Sequence, residues 1–266
     1  MNDDSGLAAL AAISIRQACP LVLAALGGIL SERSGVVNIA LEGIMLIGAF
    51  VGIWAGQQYG AVQGLLAAIG AGGAVGAAHL VFTQTLRINH IVSGVAINIL
   101  ALNLSTFLLR AVYNQADPPR QARLTEPLPV EWFIGLALAA TIGLHVLLYH
   151  TVLGLRLRAV GESPKRTRLA YLSMSLVGRF TDEMISGRGF IALAAVICGR
   201  WTPMGAVLAC CAFGFFDALQ LRMQGILALP SEALRALPYA LTILAAAAFR
   251  SQPPASLGSS DEATAE

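Results

Sequence analysis

The sequence has little charge. Aspartate, glutamate, lysine and arginine make up 12% of its 266 residues, whereas an ordinary soluble domain carries about a quarter. Hydrophobic residues make up 56%. This balance argues against a soluble globular enzyme, and the recurring apolar runs of about 18 residues or more predict transmembrane helices. The net charge of +2 is too small to indicate nucleic acid as a partner.

Several motifs are missing as well. No GxxxxGK[ST] phosphate loop occurs, so any ATP must be bound by another chain. His145 and His150 are five residues apart, which does not place them on one helical face as a metal pair. Ser93-Gly94 has no glycine two positions before it and no evident histidine partner, so a protease nucleophile is not indicated. The acidic N-terminus does not resemble a secretory signal peptide. We expect no metal and no cofactor.

The cysteines are also not arranged for chemistry. All four lie in apolar runs without a CxxC pair, which indicates small apolar residues in helix packing rather than a metal site or a disulfide. They are Cys19, Cys198, Cys210 and Cys211.

The apolar runs predict an all-α, polytopic membrane protein with about seven or eight apolar segments, some of them broken or re-entrant. One transmembrane domain covers residues 1–250, and the Pro/Ser/acid-rich tail 251–266 is predicted to be disordered. Because Arg16, Gln17 and Pro20 interrupt the first run, we expect an interfacial helix over 7–18 and a shorter embedded helix after it. The runs are 7–30, 43–57, 61–83, 91–109, 132–150, 189–198, 203–221 and 236–249.

Glycine recurs every four residues from Gly48 to Gly64. Small residues at this spacing allow a neighbouring helix to approach closely, so the pattern predicts helix packing. It does not lie on a single helical face if the chain turns near 57–60.

Charge is unevenly distributed between two of the connecting segments. Residues 154–168 carry five basic residues and one glutamate, whereas residues 110–131 are balanced. The positive-inside rule therefore predicts that 154–168 is cytoplasmic and 110–131 is outside. The apolar segment 132–150 joins them, so the two assignments agree.

Six polar residues within or beside the apolar runs are the most informative, because exposure to lipid is costly for them. We expect them to face the bundle interior, a partner helix or a water-lined path, and interhelical hydrogen bonds alone are an alternative explanation. For Asn38, Glu42 and Asn98 a role in lining a path or in a broken helix is favoured. The six are Asn38, Glu42, Asn98, Asn103, Asp217 and Gln220.

Four stretches in order, "LSERSGVVNIALEGIMLIGAF", "LRINHIVSGVAIN", "LRAVGESPKRTR" and "SGRGFIALAAVICGRWTPMGAVL", carry a resemblance. Together they resemble the permease subunits of bacterial ABC importers for nucleosides, a branch of the simple-sugar and branched-chain amino-acid permease superfamily. The resemblance covers about residues 18–249.

The resemblance implies a multi-pass subunit in the bacterial inner membrane that translocates nucleosides and is not itself an enzyme. Its implied partners are a second, usually different permease subunit, cytoplasmic ABC ATPases and an extracytoplasmic substrate-binding lipoprotein. It further implies that "LRAVGESP" is the loop that couples to the ATPase, with serine at a position where asparagine is usual. The implied coupling residues are Arg158, Gly161, Glu162, Ser163 and Pro164, and the implied path residues are Asn38, Glu42, Asn98 and Phe190.

The chain departs from the family after the coupling loop. Family members continue with a membrane-crossing segment of roughly two dozen residues before "GRGFIALAA", whereas only "LAYLSMSLVG" remains here. As a helix this stretch reaches about 15 Å, half of a hydrocarbon core of about 30 Å. We expect one of three arrangements: the C-terminal part is inverted, the segment re-enters the membrane without crossing it, or one helix is lost. Reduced or absent transport then follows unless a partner supplies the missing helix.

Other functions fit the same residues. A simple-sugar ABC permease is the alternative within this architecture, and the basic loop would serve equally as a lipid anchor in a stand-alone secondary transporter or channel. A degenerate, non-transporting family member is the third alternative.

Overall fold

In the computed structural model, residues 3–113, 122–123, 129–161, 179–180, 187–223, 253–254 and 257 are described. Eight α-helices account for most of this part of the chain: α1 (Asp3–Arg33), α2 (Leu41–Tyr59), α3 (Ala61–Leu80), α4 (His90–Tyr113), α5 (Val130–His150), α6 (Val152–Gly161), α7 (Arg188–Cys198) and α8 (Pro203–Met223). A π-helical turn, Val81–Thr85, extends α3. Two short strands, β1 (Ala122–Arg123) and β2 (Arg179–Phe180), pair antiparallel.

The first helix corrects one prediction. The expected division into an interfacial helix over 7–18 and a shorter embedded helix is wrong, because α1 is continuous through Pro20. Its 31 residues extend about 46 Å, longer than a hydrocarbon core of about 30 Å. The acidic N-terminal turns therefore fit beyond the core while the packed part of the helix stays within it. Contacts with α8, α7 and α5 support the helix along its length.

The glycine spacing predicts a close helix–helix contact, and the structure shows this contact between α2 and α3. The chain turns at Gly60, whose φ of 100° suits glycine, so the two helices form an antiparallel hairpin. A Cβ atom at Gly64 would lie 2.7 Å from the Cα of Gly56, and one at Gly52 would lie 2.9 Å from the Cβ of Ala68. Larger side chains at these positions would separate the helices.

The direction of each helix follows from its contacts. Helix α4 runs parallel to α2, because Asn98 bonds the start of α2 and the Tyr113 hydroxyl donates to Gln57 at its end. Helix α7 packs on α1 and also runs parallel to it, whereas α8 returns antiparallel, with Gly214 against Ala18. The buried apolar core lies between α1, α2, α7 and α8.

Charged connections mark one end of the bundle, which we call the basic end. Three arginines lie there: Arg33 at the end of α1, Arg87 before α4 and Arg200 after α7. Helix α6 also lies at this end, because α5 starts at the opposite end of the bundle and runs back to it. The opposite end, which we call the Gly60 end, contains the α2–α3 turn. Among the described residues, five helices are long and apolar enough to cross a membrane, namely α1, α3 with its π turn, α4, α5 and α8. The predicted segments 169–178 and 236–249 lie outside the described residues.

Candidate functional site: the break between the first two helices

Residues 34–40 interrupt the helical path between α1 and α2, and we call them the break segment. Gly35, with a φ of 93°, ends α1 by reversing the backbone. The amide groups of Gly35 and Val36 then donate back to the carbonyl oxygens of Glu32 and Ser31. The Ser31 hydroxyl donates to the carbonyl of Val36 at 2.9 Å. The first half of the break therefore satisfies its polar backbone groups locally.

Two histidines from other helices hold the middle of the break. His79, near the end of α3, contacts the Val37 carbonyl oxygen through Nε2 at 3.1 Å and the Ser93 hydroxyl through Nδ1 at 2.9 Å. The Val37 amide donates to Nδ1 of His90 at 3.2 Å. Both rings are buried. The sequence did not single out either histidine, although His79 lies inside the apolar run 61–83 and His90 directly precedes the run 91–109.

A single amide side chain closes the second half of the break. The Nδ2 group of Asn98 donates to the Ile39 carbonyl oxygen at 2.9 Å, and its Oδ1 accepts from the Gly43 amide at 2.8 Å. One carbonyl of the break and one free amide at the start of α2 are thereby satisfied. Glycine at position 43 permits this close contact, because a Cβ atom there would lie 3.0 Å from the Asn98 oxygen and the neighbouring atoms would have to shift by a few tenths of an ångström.

Glu42, in the first turn of α2, caps the N-terminus of α7. Its carboxylate oxygens accept from the amides of Gly187 at 2.9 Å and Gly189 at 2.7 Å. The start of a helix carries partial positive charge and free amides, so a carboxylate suits this position. A Cβ atom at Gly189 would lie 2.5 Å from the Glu42 amide nitrogen, so the two helices can approach only with glycine there.

The other end of α7 is held by the end of α1. The Trp201 indole donates to the buried carboxylate of Glu32 at 2.5 Å, and Nε of Arg33 donates to the Trp201 carbonyl oxygen at 2.9 Å. At the start of α7, Arg188 bonds Gln17 at 3.1 Å and lies 3.7 Å from Asp217. Helix α7 is therefore fixed at both ends by the residues that border the break segment.

The structure places three of the predicted path residues at the break segment and the fourth, Phe190, on the surface of the chain. Asn38 is fully buried in the break, and Glu42 and Asn98 flank it through backbone hydrogen bonds. Phe190 follows Gly189 but is 48% exposed, so it lies on the surface of this chain. Asn103 is exposed on α4 rather than in the interior of this chain, which leaves a partner helix or a water-lined path as its expected neighbour, and its amide bonds the Ile99 carbonyl oxygen.

The coupling residues are described only in part. Arg158 lies in α6 with its guanidinium carbon 5.0 Å from the centre of the Tyr149 ring, a cation–π contact with α5. Gly161 is the last residue of α6. Glu162, Ser163 and Pro164 lie outside the described residues. The α5–α6 turn requires Gly154, because a Cβ atom there would overlap the Leu147 carbonyl oxygen.

Ser93 has a histidine partner that its sequence context did not reveal. The pair with His79 does not form a nucleophilic site, because Ser93 is 3% exposed and the second ring nitrogen of His79 contacts a backbone carbonyl rather than a carboxylate. No group of three potential metal ligands occurs among the described residues.

A helix broken inside an apolar bundle, with its backbone groups satisfied by side chains of other helices, is typical of membrane transport proteins. The chain belongs to the family described as the permease component of the branched-chain amino acid transport system, whose model matches residues 10–174. It is thus a membrane-embedded transport permease and not an enzyme. Permease components of such systems generally act with an ATPase, a substrate-binding protein and a second permease.

Three curated relatives match most of the chain. The guanosine ABC transporter permease protein NupQ of Bacillus subtilis is 36% identical, over 87% of this chain and 89% of its own. The nucleoside ABC transporter permease protein NupC of Lactococcus lactis is 33% identical, over 94% of both chains. The putative glucose ABC transporter permease protein TsgC13 of Haloferax volcanii is 32% identical, over 80% of this chain and 77% of its own. No solved structure matches.

The same alignments show that the relatives contain residues that this chain lacks. The alignment with NupC has 307 positions and covers 94% of this chain, about 250 residues, so about 57 positions have a residue only in NupC. The alignment with NupQ has 287 positions and covers 87%, about 231 residues, which leaves about 56. Within the aligned region, this chain is therefore shorter than both of these permeases.

Proposed function

We propose that the chain is the membrane-spanning permease subunit of an ATP-driven importer that translocates nucleosides across the bacterial inner membrane. The observation that carries this proposal is the match to a nucleoside permease over 94% of both chains. The guanosine permease relative supports the same substrate class. Uptake of radiolabelled guanosine into proteoliposomes that contain the whole importer tests it, and uptake that does not depend on ATP would contradict it.

The proposed path follows the break segment and the start of α7. Asn38, Glu42 and Asn98 supply the polar groups, and each is buried or half-buried within the bundle. Phe190 is exposed one residue after the Gly189–Glu42 contact, so it presents an aromatic face towards whatever covers this side of α7. A second permease subunit, packed there, would place the path between the two chains.

The proposed ATPase contact lies at the basic end. Arg156 is exposed on α6, Arg87 and Arg200 are exposed on nearby connections, and Arg158 is partly buried against Tyr149. This positive surface follows the pattern of cytoplasmic loops. Glu162, Ser163 and Pro164 continue directly from α6 and are proposed to enter the ATPase.

Copurification tests the coupling assignment. We expect Glu162→Lys to release the ATPase from the detergent-solubilised complex while membrane insertion is unchanged. Glu131→Lys is the matched control, because Glu131 is exposed at the start of α5, at the opposite end of the bundle. If Glu162→Lys retains both its ATPase and its uptake, residues 158–164 are not the coupling element. A stand-alone transporter or channel would copurify with no ATPase at all.

A simple sugar is the second candidate solute, and it is favoured by the Haloferax relative that is named for glucose. Competition during uptake separates the two. Unlabelled adenosine or guanosine is expected to suppress uptake of labelled nucleoside, whereas an excess of glucose or ribose is not. The reverse result would assign the permease to sugars.

The shortened stretch after α6 bears on whether this chain transports at all. Strand β1 lies between α4 and α5, at the Gly60 end, because α4 ends there and α5 begins there. Strand β2 pairs with it, Phe180 opposite Ala122, although α6 lies at the basic end. This pairing favours a chain that changes sides between Gly161 and Arg179 over an inverted C-terminal part.

Cysteine labelling in intact cells tests this arrangement. Phe180→Cys and the outer control Tyr59→Cys are expected to react with a membrane-impermeant maleimide, and Arg156→Cys only after permeabilisation. If Phe180→Cys reacts only after permeabilisation, the chain does not change sides before β2. In that case, uptake well below that of a full-length relative would favour a degenerate, non-transporting family member. Reduced transport is also what the missing crossing predicts.

A further inference from the structure

The backbone carbonyl and amide groups of Val37 are each held by an imidazole ring of another helix. His79, on α3, contacts its carbonyl oxygen at 3.1 Å, and His90, the first residue of α4, contacts its amide at 3.2 Å. His79 is 1% exposed and His90 is 6% exposed. We call this arrangement the Val37 clamp.

The direction of each hydrogen bond fixes the form of both rings. A carbonyl oxygen only accepts, so Nε2 of His79 carries a proton and donates to Val37. In the neutral ring Nδ1 then accepts from the Ser93 hydroxyl. A backbone amide only donates, so Nδ1 of His90 is unprotonated. The hydrogen bonds therefore run in one direction, from Ser93 through His79 and Val37 to His90.

The clamp joins a rigid part of the fold to an adjustable one. The first half of α3 is locked against α2 at Gly64. The end of α3, where His79 lies, continues directly into the π-helical turn Val81–Thr85. Such turns are rare and frequent at functional sites. A shift of this end would move His79 without separating α2 from α3, and would release the peptide that precedes Asn38.

We propose that His79 and His90 are positioning residues of the translocation path: by holding the backbone carbonyl and amide of Val37 they set the position of Asn38. Their role in transport rests on the function proposed above, whereas the clamp itself does not. The Val36 carbonyl is bonded by Ser31 and the Ile39 carbonyl by Asn98. The Asn38 amide donates to the carboxylate of Glu32. Loss of the clamp would therefore free Val37 and leave both ends of the break attached.

Isosteric variants separate the clamp from mere burial of a ring. Asparagine places its oxygen where Nδ1 of histidine lies, so His90→Asn retains the acceptor. Glutamine places its polar group where Nε2 lies, so His90→Gln does not. His90→Leu removes the acceptor and keeps a large apolar side chain. For His79, which donates through Nε2, the preserving variant is His79→Gln.

Protection of a single cysteine reports the clamp without reference to transport. The probe is Val36→Cys, because Val36 is 2% exposed and adjoins the clamped peptide; Ser105→Cys, 1% exposed on α4, is the control. The background lacks Cys19, Cys198, Cys210 and Cys211. In His90→Leu and His90→Gln we expect the probe to react with maleimide about tenfold faster, as for loss of a buried hydrogen bond, and in His90→Asn within about threefold of wild type.

Equal protection of the probe in His90→Leu and wild type would overturn the clamp. If His90→Leu also exposes the Ser105→Cys control, it has unfolded, and the comparison of His90→Asn with His90→Gln decides. In the reconstituted importer, His90→Leu is expected to lower the maximal uptake rate about tenfold with little change in KM, and His90→Asn to restore it. If the wild type takes up no nucleoside, the proposed function fails and the cysteine result still decides the clamp.

Discussion

Two interruptions between helices in the described part of the chain, the break segment after α1 and residues 199–202 after α7, are built differently. The break segment after α1 depends on side chains from distant parts of the sequence, above all His79, His90 and Asn98. The second break, residues 199–202 between α7 and α8, is held mainly by its own backbone. There the amides of Arg200, Trp201 and Thr202 donate to the carbonyl oxygens of Ile197, Val196 and Gly199.

This difference indicates which break can change. A turn closed by its own backbone keeps its shape when neighbouring helices move, so the second break moves as one unit with α7. A segment held by side chains of α3 and α4 keeps its shape only while those helices stay in place. A relative movement of α2, α3 and α4 would therefore first displace residues 34–40. It would then move α7 through the contact with Glu42.

The largest effect is expected where the two breaks are joined. A methyl group at position 189 would overlap the backbone of Glu42 at 2.5 Å, so Gly189→Ala must separate α7 from α2. We expect a loss of about 3 kcal/mol or more in the apparent free energy of unfolding in detergent, and loss of uptake. Gly73→Ala is the control, since no atom lies within 4 Å of its added Cβ, and it is expected to be neutral or slightly stabilising. Equal behaviour of the two variants would refute the close contact.

A somewhat smaller effect is expected from removal of the cap on α7. Glu42→Ala deletes two charge-assisted hydrogen bonds to the amides of Gly187 and Gly189, which costs about 2–3 kcal/mol. Glu42→Gln retains one acceptor oxygen and is expected to lose about half as much. Thermal unfolding of the purified variants in one detergent measures both values. Glu42→Gln as damaging as Glu42→Ala would show that the charge, rather than the hydrogen bonds, holds α7.

The sequence predicted the parts of this site that depend on local spacing. The glycine repeat predicted a close helix–helix contact, which the structure shows between α2 and α3, and the polar residues Asn38, Glu42 and Asn98 marked the region of the break. It could not show which groups they bond, because those partners lie 55 to 147 residues away for Asn98 and Glu42. The continuity of α1 was missed because Pro20 removes only one helical hydrogen bond, and packing on three helices outweighs that loss.

Other features of the site have no local signal. Arg200 and Trp201 have φ values of 55° and 53°, a conformation that neither residue type favours, and the Glu32–Trp201 contact joins residues 169 positions apart.

The contact that ties the second break to α1 is expected to contribute less. Trp201→Phe keeps the ring in place but removes the indole donor, leaving the 2% exposed carboxylate of Glu32 short of one hydrogen bond. The expected cost is about 1–3 kcal/mol. The double variant Trp201→Phe/Glu32→Gln is expected to recover part of it, since a neutral amide is easier to bury. A double variant no more stable than the single one would exclude this account.

The smallest effect is expected within the second break itself. Thr202 is the N-cap of α8: its hydroxyl oxygen accepts from the Gly205 amide at 3.2 Å, and Pro203 occupies the first helical position. Thr202→Val removes the cap and is expected to cost about 1 kcal/mol, whereas Thr202→Ser is expected to be nearly neutral. Because this cap belongs to the break that moves as a unit, the Val36→Cys probe in the first break should stay protected in Thr202→Val. Exposure of that probe would mean that the two breaks are not mechanically distinct.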